Sequence, residues 1–444
     1  MYAKAIPALS RVIQNAEART ATLRMLILVG ARVGGTLLTL IYTLMLSRVT
    51  SQHDFGLATA AMSTTFLLSV LISMNVEMGS IRYLSKYISE KSLEKASGFI
   101  HFCRIIVFFT SSILLAFGVI YYILSGSDRG QTLVYIIAFA AAPVIAMSRV
   151  SARHAVVMDA VLGGTLPRIL VRPLLFIIFI GLSYAFGIYL SAEYIVAMLL
   201  MSAIASNIAQ YFLIRRHFYE ITAHKPDRQD WRLWIRTGIM LSPLLTMNEF
   251  MRDVIIAAAS LSLAKDQLAL LVISISLIGI LNFAVTAVDI AFSPKVARAL
   301  LVPDPRRCRE LLMMGASIKC VAVALVGTVV VLFRYPILSL LGENYLAAGS
   351  GLVALLMMPA ASAVFGPGDM VLTVLGHQKD VLIATLVGLL GMVGLTVVGG
   401  ALGGFQVAAV GAALAYTAQQ FLLFLFCRRR AGVDPSILGV RAVL

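Results

Sequence analysis

Long apolar stretches, separated by short polar segments, recur along the whole chain. About 20 mostly apolar residues are enough for a helix to cross a bilayer. Twelve stretches meet this rule, at approximately 25–47, 56–78, 102–124, 131–150, 167–187, 192–214, 237–260, 267–290, 312–334, 348–375, 381–402 and 406–427. The pattern therefore predicts an all-α, polytopic membrane protein with about twelve transmembrane helices.

The basic residues between these stretches support the count. If both termini lie inside, and basic residues near the span ends are counted with the adjoining segments, thirty of the 36 Lys and Arg residues fall on inner segments and four in outer loops. Only Arg32 and Arg252 are then left within spans. Inner, cytoplasmic segments of membrane proteins are enriched in Lys and Arg. We therefore predict cytoplasmic N- and C-termini. On this interpretation Arg149, Arg153 and Arg168 belong to an inner connecting segment.

The longest polar connection runs from about Arg215 to Arg236 and divides the spans into six plus six. Paired bundles are a common transporter plan, with the substrate site between them. The predicted organisation is a cytoplasmic segment, two six-helix bundles and a cytoplasmic tail, at 1–24, 25–222, 223–430 and 431–444. The basic segments Arg82–Gly98 and Pro294–Glu310 occupy matching places in the two halves and are expected to lie along the inner surface.

The composition reduces the number of function classes that fit the chain. Hydrophobic residues make up 60% of the chain and charged residues 13%, whereas a soluble globule carries about 25% charge. The net charge of +15 comes from membrane-flanking segments, so nucleic acid is not an expected partner. Four cysteines without a CxxC pair and six scattered histidines predict no metal site, and no cofactor is expected. Because the chain has no GxxxxGK[ST] motif, we expect no ATP-driven motor in it.

Span seven carries an unusual polar group within an apolar segment. Asn248, Glu249, Arg252 and Asp253 fall within one helical arc about 140° wide, and the spacings from Arg252 to Glu249 and Asn248 allow pairing. A charge facing hydrocarbon costs at least about 2.5 kcal/mol, so this face should contact protein or water. It is either an ion pair that locks two helices or a substrate site. In the second case Arg252 and Asn248 would bind an anionic headgroup, and Glu249 or Asp253 would bind H⁺ or Na⁺.

Two other spans carry candidate residues. Arg32 lies about 12 Å into the first span, where it would bind an anion or snorkel to the inner surface. Asp369 follows Gly366-Pro367-Gly368, a run that can break a helix and free carbonyl groups toward a cavity. Asp369 is therefore a further candidate for ion coupling.

Five stretches, in order along the chain, carry a family resemblance: LSRVTSQHDFGLATAAMS at 46–63, GSIRYLSKY at 79–87, FSPKVARAL at 292–300, ILSLLGENYLAAGSGLVALL at 337–356 and LTVLGHQKDVL at 372–382. On a twelve-span chain they resemble the polysaccharide-transporter, or lipid-linked oligosaccharide flippase, family of the multidrug/oligosaccharidyl-lipid/polysaccharide exporter (MOP) superfamily. The resemblance covers nearly all of the chain.

This resemblance implies a V-shaped pair of six-helix bundles that alternate between inward- and outward-open states. It implies translocation of undecaprenyl-diphosphate-linked oligosaccharide across the bacterial inner membrane for O-antigen, exopolysaccharide or capsule synthesis, with no enzymatic step. The implied partners are this substrate, membrane lipids, H⁺ or Na⁺, and a polysaccharide polymerase with its export machinery. Arg32 and Arg252 match the implied cationic cavity, whereas Glu249 and Asp253 depart from it.

Three other functions are alternatives for a chain of this kind. A multidrug or organic-cation antiporter of the same superfamily would favour acidic residues in its cavity, and Arg32 and Arg252 argue against it. A membrane-embedded glycosyltransferase or ligase would normally have a large polar loop with catalytic acids, but the outer loops predicted here are short. A scaffold without transport activity would not need charges at mid-membrane.

Overall fold

The computed structural model describes residues 5–124, 129–301 and 305–437, and within them every regular element is a helix. The α-helices are α1 (Ala5–Val49), α2 (Gln52–Ser73), α3 (Ser85–Ser89), α4 (Leu93–Leu124), α5 (Arg129–Val157), α6 (Val161–Leu166), α7 (Arg172–Ala185), α8 (Ala192–Thr222), α9 (Trp231–Ala259), α10 (Lys265–Leu301), α11 (Pro305–Leu332), α12 (Arg334–Ser339), α13 (Ala348–Leu355), α14 (Met357–Phe365), α15 (Gly368–Val374) and α16 (Gln378–Phe426). Short 3₁₀ or π segments join several of them: Val76–Gly79, Ser80–Leu84, Pro167–Val171, Glu343–Tyr345 and Cys427–Ala431.

The predicted membrane architecture is confirmed. Among the described residues, nine helical segments are long and apolar enough to cross a membrane, and one of them, at 378–431, is long enough for two crossings. The helices α9 and α10, of 29 and 37 residues, occupy the predicted places of spans seven and eight but are not among these nine segments. Span five is α6 and α7 joined through a π segment, and span ten is divided into α13, α14 and α15.

Glycines lie at the helix break of span ten and at the turn between the two crossings of α16. Span ten breaks at Gly366, whose φ of +75° is a conformation that favours glycine, so the expected break at this run is present. The two crossings within α16 are separated at Gly403 and Gly404, which depart from helical geometry, with φ of +70° at Gly404. The returning helix packs closely, because a Cβ on Gly399 would lie 2.7 Å from the carbonyl oxygen of Val407.

The two expected surface segments are not uniform surface helices. Residues 82–98 form the end of a π segment, the five-residue α3, a short turn and the start of α4. In the second half, α10 continues without interruption to Leu301 and α11 begins at Pro305, which leaves no separate helix between them in the described part. Pro294 lies inside α10. Whether Arg82–Gly98 and Pro294–Glu310 lie along the inner surface stays a prediction.

The first six spans, α1 to α8, and the last six, α9 to α16, form the two bundles. They meet along α2, which packs against α9 and α10 of the second bundle. We call the end where α2 finishes and α4 begins the basic end, and the other the opposite end. At the opposite end Arg48 Nε donates to the carbonyl of Leu340 over 2.7 Å, and Gly56 approaches Lys265 so closely that a Cβ would lie 2.0 Å from its carbonyl oxygen.

At the basic end, α2 stops in a left-handed turn. Met74 and Asn75 have φ of 47° and 52°, a strained conformation for a long side chain such as that of Met74. The turn carries Asn75 to the second bundle, where its Nδ2 donates to Ser242 Oγ of α9 over 2.9 Å. The exact limits of the four predicted segments stay predictions, and residues 1–4 and 438–444 lie outside the described residues.

Candidate functional site

A cavity of about 340 Å³ lies between the bundles, on the side toward the basic end. Helix α1, the C-terminal half of α5, and α6 with the π segment after it form its walls, and α9 of the second bundle contributes Glu249. Its lining residues are Leu28, Val29, Arg32, Arg149, Ala152, Arg153, Val156, Val161, Thr165, Arg168 and Glu249. The cavity therefore exposes four guanidinium groups and one carboxylate.

Glu249 makes an ion pair between the bundles. Its Oε1 accepts from Arg153 Nη2 over 2.5 Å, and its Oε2 lies 4.0 Å from Arg168 Nη1. Helix α9 departs from helical geometry at the next residue, Phe250, with φ of −129° and ψ of 18°. The side chain of Glu249 is 26% exposed and that of Arg153 30%, so the pair remains open to a ligand in the cavity.

Arg149 is held differently from Arg153, although the two lie one turn apart on α5. Its side chain is 4% exposed, and its Nη2 lies 3.1 Å from Glu77 Oε1 and donates to Asn75 Oδ1 over 2.8 Å. Its guanidinium also lies 5.0 Å from the ring centroid of Phe250. Arg149 thus joins the turn after α2 to the kink of α9, and Glu77 neutralises its charge.

Arg168 projects from an irregular turn. Pro167 has no backbone N–H, and from Pro167 to Val171 the helix widens to π geometry, with the Arg172 N–H bonding back to the Pro167 carbonyl. The same carbonyl accepts from Ser206 Oγ over 2.7 Å, which fixes the turn against α8. Among the described residues Arg168 Nε has no hydrogen-bond partner, although it is buried. Arg168 therefore has unused donor capacity beside the cavity.

The charge balance of this cavity favours an anion. With Arg149 neutralised by Glu77, three guanidinium groups remain against the single carboxylate of Glu249. Guanidinium groups bind phosphate and carboxylate oxygens through two parallel N–H donors, and these charge-assisted bonds strengthen where water is scarce. The arrangement can bind a multiply charged oxyanion whose oxygens replace those of Glu249.

The structure brings together only part of the predicted site. Arg32 and Glu249 line the cavity, but Glu249 pairs with Arg153 and not with Arg252. Arg252 instead donates from Nη2 to Ser276 Oγ of α10 over 3.2 Å, inside its own bundle. Asn248 is exposed and does not line the cavity. The proposed binding roles of these residues stay predictions.

The two remaining candidates for ion coupling lie apart from each other. Asp253 Oδ1 accepts from Ser63 Oγ of α2 over 3.0 Å, a further polar contact between the bundles one turn beyond Glu249. Asp369 is half-buried in the first turn of α15, in the second bundle. There, Asp289 of α10 forms an ion pair with Lys319 of α11, which is almost fully buried. Coupling at Asp253 or Asp369 stays a prediction.

The sequence analysis missed Arg149, Arg153 and Arg168. It ended span four at residue 150 and began span five at 167, so these arginines fell at or beyond the predicted span ends. In the structure α5 continues to Val157 and span five begins at Val161. The four-residue spacing from Arg149 to Arg153 was the signal available, because it places both side chains on one face of a helix.

No family model matches the chain, and no curated protein matches it. Solved structures do match. A multidrug resistance MATE family transporter of the MOP superfamily, in its inward-facing conformation, has a TM-score of 0.69 and 13% identity, and the match covers 91% of this chain and 98% of that one. The lipid II flippase MurJ, in an inward closed conformation, also has a TM-score of 0.69, with 14% identity over 90% of this chain and 87% of that one.

This chain has the MATE and MurJ fold. A MOP superfamily transporter from Pyrococcus furiosus, whose binding pocket is described as reversed in polarity, matches with a TM-score of 0.56 and 15% identity, over 91% of this chain and 94% of that one. At these identities the likeness establishes the fold alone. The expected all-α, two-bundle fold of a multi-pass membrane protein is confirmed. The V shape and the alternating access of the bundles stay predictions.

Proposed function

We propose that the protein is a flippase for an anionic, lipid-linked oligosaccharide, with undecaprenyl diphosphate as the carrier. The observation that carries the proposal is the cluster of Arg32, Arg153 and Arg168 around an interbundle cavity that contains one opposing carboxylate. A sugar diphosphate cannot cross about 30 Å of hydrocarbon unaided. The cavity would hold the diphosphate while the polyprenyl chain stays in lipid.

In this proposal the protein lies in the bacterial inner membrane with its basic end and both termini in the cytoplasm, and it catalyses no chemical reaction. The basic end carries most of the Lys and Arg residues, which supports this orientation. The product would be used for O-antigen, exopolysaccharide or capsule synthesis, and a polymerase and export machinery would act after it. Coupling to H⁺ or Na⁺ would use Glu249, Asp253 or Asp369.

Glu249 occupies the place of the substrate anion when the cavity is empty. A diphosphate that enters competes with the Glu249 carboxylate for Arg153 and Arg168, and by displacing it breaks an ion pair that joins the bundles. A ligand shifts a conformational equilibrium only by binding one state better than the other. Substrate binding would thereby be linked to relative movement of the bundles.

The class of substrate is tested in proteoliposomes. The purified protein should move a fluorescent polyprenyl-diphosphate-linked sugar between leaflets, measured by quenching of the outer-leaflet label with dithionite. The same vesicles should show no protein-dependent uptake of tetraphenylphosphonium, a lipophilic cation. Uptake of the cation without movement of the diphosphate lipid would support a multidrug antiporter function and would contradict the flippase proposal.

Glu249→Gln gives a second test, in which the two functions predict opposite signs. Removal of the competing carboxylate should tighten equilibrium binding of the diphosphate lipid about fivefold, because a partly exposed ion pair is worth about 1 kcal/mol. A cationic substrate would instead bind more weakly once this carboxylate is lost. Glu90→Gln is the matched control, because Glu90 pairs with Lys86 on the exposed surface far from the cavity lining.

A further inference from the structure

The first bundle has a second cavity on its outer surface, with a volume of about 1020 Å³. It is a groove between α4, α5 and α8. Its lining residues are Arg104, Met147, Ser151, Asn207, Ile208, Gln210, Tyr211, Phe212, Ile214, Arg215, Arg216, Phe218, Tyr219 and Thr222. Met147 and Ser151 project from the face of α5 roughly opposite to Arg149 and Arg153, so α5 separates this groove from the interbundle cavity.

Three arginines in the groove have no ionic partner among the described residues. Arg104 is half-buried on α4, and Arg215 and Arg216 are exposed on α8. The lining contains no Asp or Glu, and in the part of the chain that the structure describes no salt bridge includes any of the three. The guanidinium carbon of Arg215 lies 5.1 Å from the ring centroid of Phe212. The groove is therefore a cationic surface whose lining contains no carboxylate.

The arginines lie at the edge of the membrane-facing apolar surface. On α4 the exposed apolar residues begin with Ile105, directly after Arg104, and on α8 they end with Leu213, two residues before Arg215. Exposed tyrosines at 211 and 219 accompany them, and tyrosine is enriched at the depth of lipid headgroups. This position matches the phosphate of a lipid in the leaflet at the basic end.

The polar side chains deeper in the groove are already used. Gln210 Nε2 donates to the carbonyls of Ser148 and Gly164, over 3.0 and 2.7 Å, and Asn207 Nδ2 donates to the carbonyl of Val144 over 2.6 Å. These bonds tie α8 to α5 and α6. Gln210 and Asn207 are therefore already engaged, whereas the three arginines keep donors for a ligand beside a largely apolar and aromatic wall.

We propose that this groove binds an anionic phospholipid of the surrounding bilayer. The phosphate would contact Arg104 and Arg215, with Arg216 close by, and the acyl chains would lie along the exposed apolar side of α4 and α8. Basic pockets between transmembrane helices are suited to anionic headgroups, and guanidinium groups bind phosphate in a bidentate manner. This site is independent of the proposed flippase function, because α5 separates it from the interbundle cavity.

Native mass spectrometry of the purified full chain would test the site. The protein is mixed with equal amounts of palmitoyl-oleoyl phosphatidylglycerol and the matching phosphatidylcholine, and the retained lipid is compared. The wild-type protein should retain phosphatidylglycerol preferentially. The triple variant Arg104→Gln, Arg215→Gln, Arg216→Gln should lower the retained fraction of phosphatidylglycerol by at least about fivefold.

The matched control removes the same three charges elsewhere at the basic end, through Arg82→Gln, Arg232→Gln and Arg236→Gln, all at exposed positions. It should behave like the wild type. An equal loss in both triple variants would mean diffuse surface attraction, and no lipid preference in the wild type would also overturn the site. Displacement of the lipid by millimolar glycerol 3-phosphate would show that the groove binds a soluble anion instead. If the triple variant fails to fold, the double variant Arg215→Gln, Arg216→Gln, which changes exposed positions only, must still lower retention.

Discussion

Replacement of Arg153 and Arg168 together with glutamine should weaken binding of a diphosphate-linked lipid by about 10²- to 10⁴-fold. Each arginine would donate at least one charge-assisted hydrogen bond to the diphosphate, and such a bond contributes about 1.5–3 kcal/mol. Both side chains already bind or approach the carboxylate of Glu249, so the geometry for an oxyanion exists before the substrate arrives. Equilibrium binding to the purified protein, with a short-chain polyprenyl-diphosphate sugar, would measure the loss.

The control for this variant is Arg232→Gln with Arg236→Gln. It removes the same two charges from exposed positions near the start of α9, outside the cavity. We expect it to change affinity only slightly, because surface charges are screened by salt. A large loss in this control as well would mean that long-range attraction, and not the cavity, binds the substrate. A double lysine variant at 153 and 168 should be intermediate, because lysine keeps the charge but lacks the two-pronged donor.

The sequence predicted the fold more fully than it predicted the residues of the interbundle cavity, and the charged pairs of that cavity show why. Hydrophobic stretches identify spans one at a time, so the all-helical, multi-span fold and the break at Gly366 could be predicted from local pattern alone. The partner of a charge is a tertiary property. Glu249 and Arg153 are 96 positions apart, and helix-surface spacing pointed instead to Arg252, three residues away. Local spacing therefore predicted the wrong partner.

The basic residues near span ends were ambiguous for a related reason. An arginine close to the end of an apolar stretch satisfies the positive-inside rule whether its side chain turns outward to water or inward to a cavity. The side chains of Arg149 and Arg168 turn inward to the cavity. They are placed there by the extra turns of α5 and by the π segment at Pro167, and both features have weak sequence signals. By contrast, Arg32 was predicted within a span, since an entire apolar segment surrounds it.

The ion pair of Arg149 and Glu77 should have the largest effect on stability. Arg149→Met would leave Glu77, which is 1% exposed, without its counter-charge, and we expect unfolding free energy to fall by about 3–5 kcal/mol. Three further contacts depend on this arginine: it donates to Ser69 and Asn75 and lies against the ring of Phe250. Thermal melting of the detergent-purified protein should therefore show a clear drop in midpoint temperature.

The cause is tested by a second substitution in the same protein. Glu77→Gln added to Arg149→Met removes the buried unpaired charge, so the double variant should recover a large part of the lost stability. Among the described residues Glu77 Oε2 has no hydrogen-bond partner, so replacing this oxygen with the amide nitrogen of glutamine removes no hydrogen bond. If the double variant melts no higher than Arg149→Met alone, the loss comes from packing around the arginine. In that case the buried charge is not what holds the turn after α2 against the kink of α9.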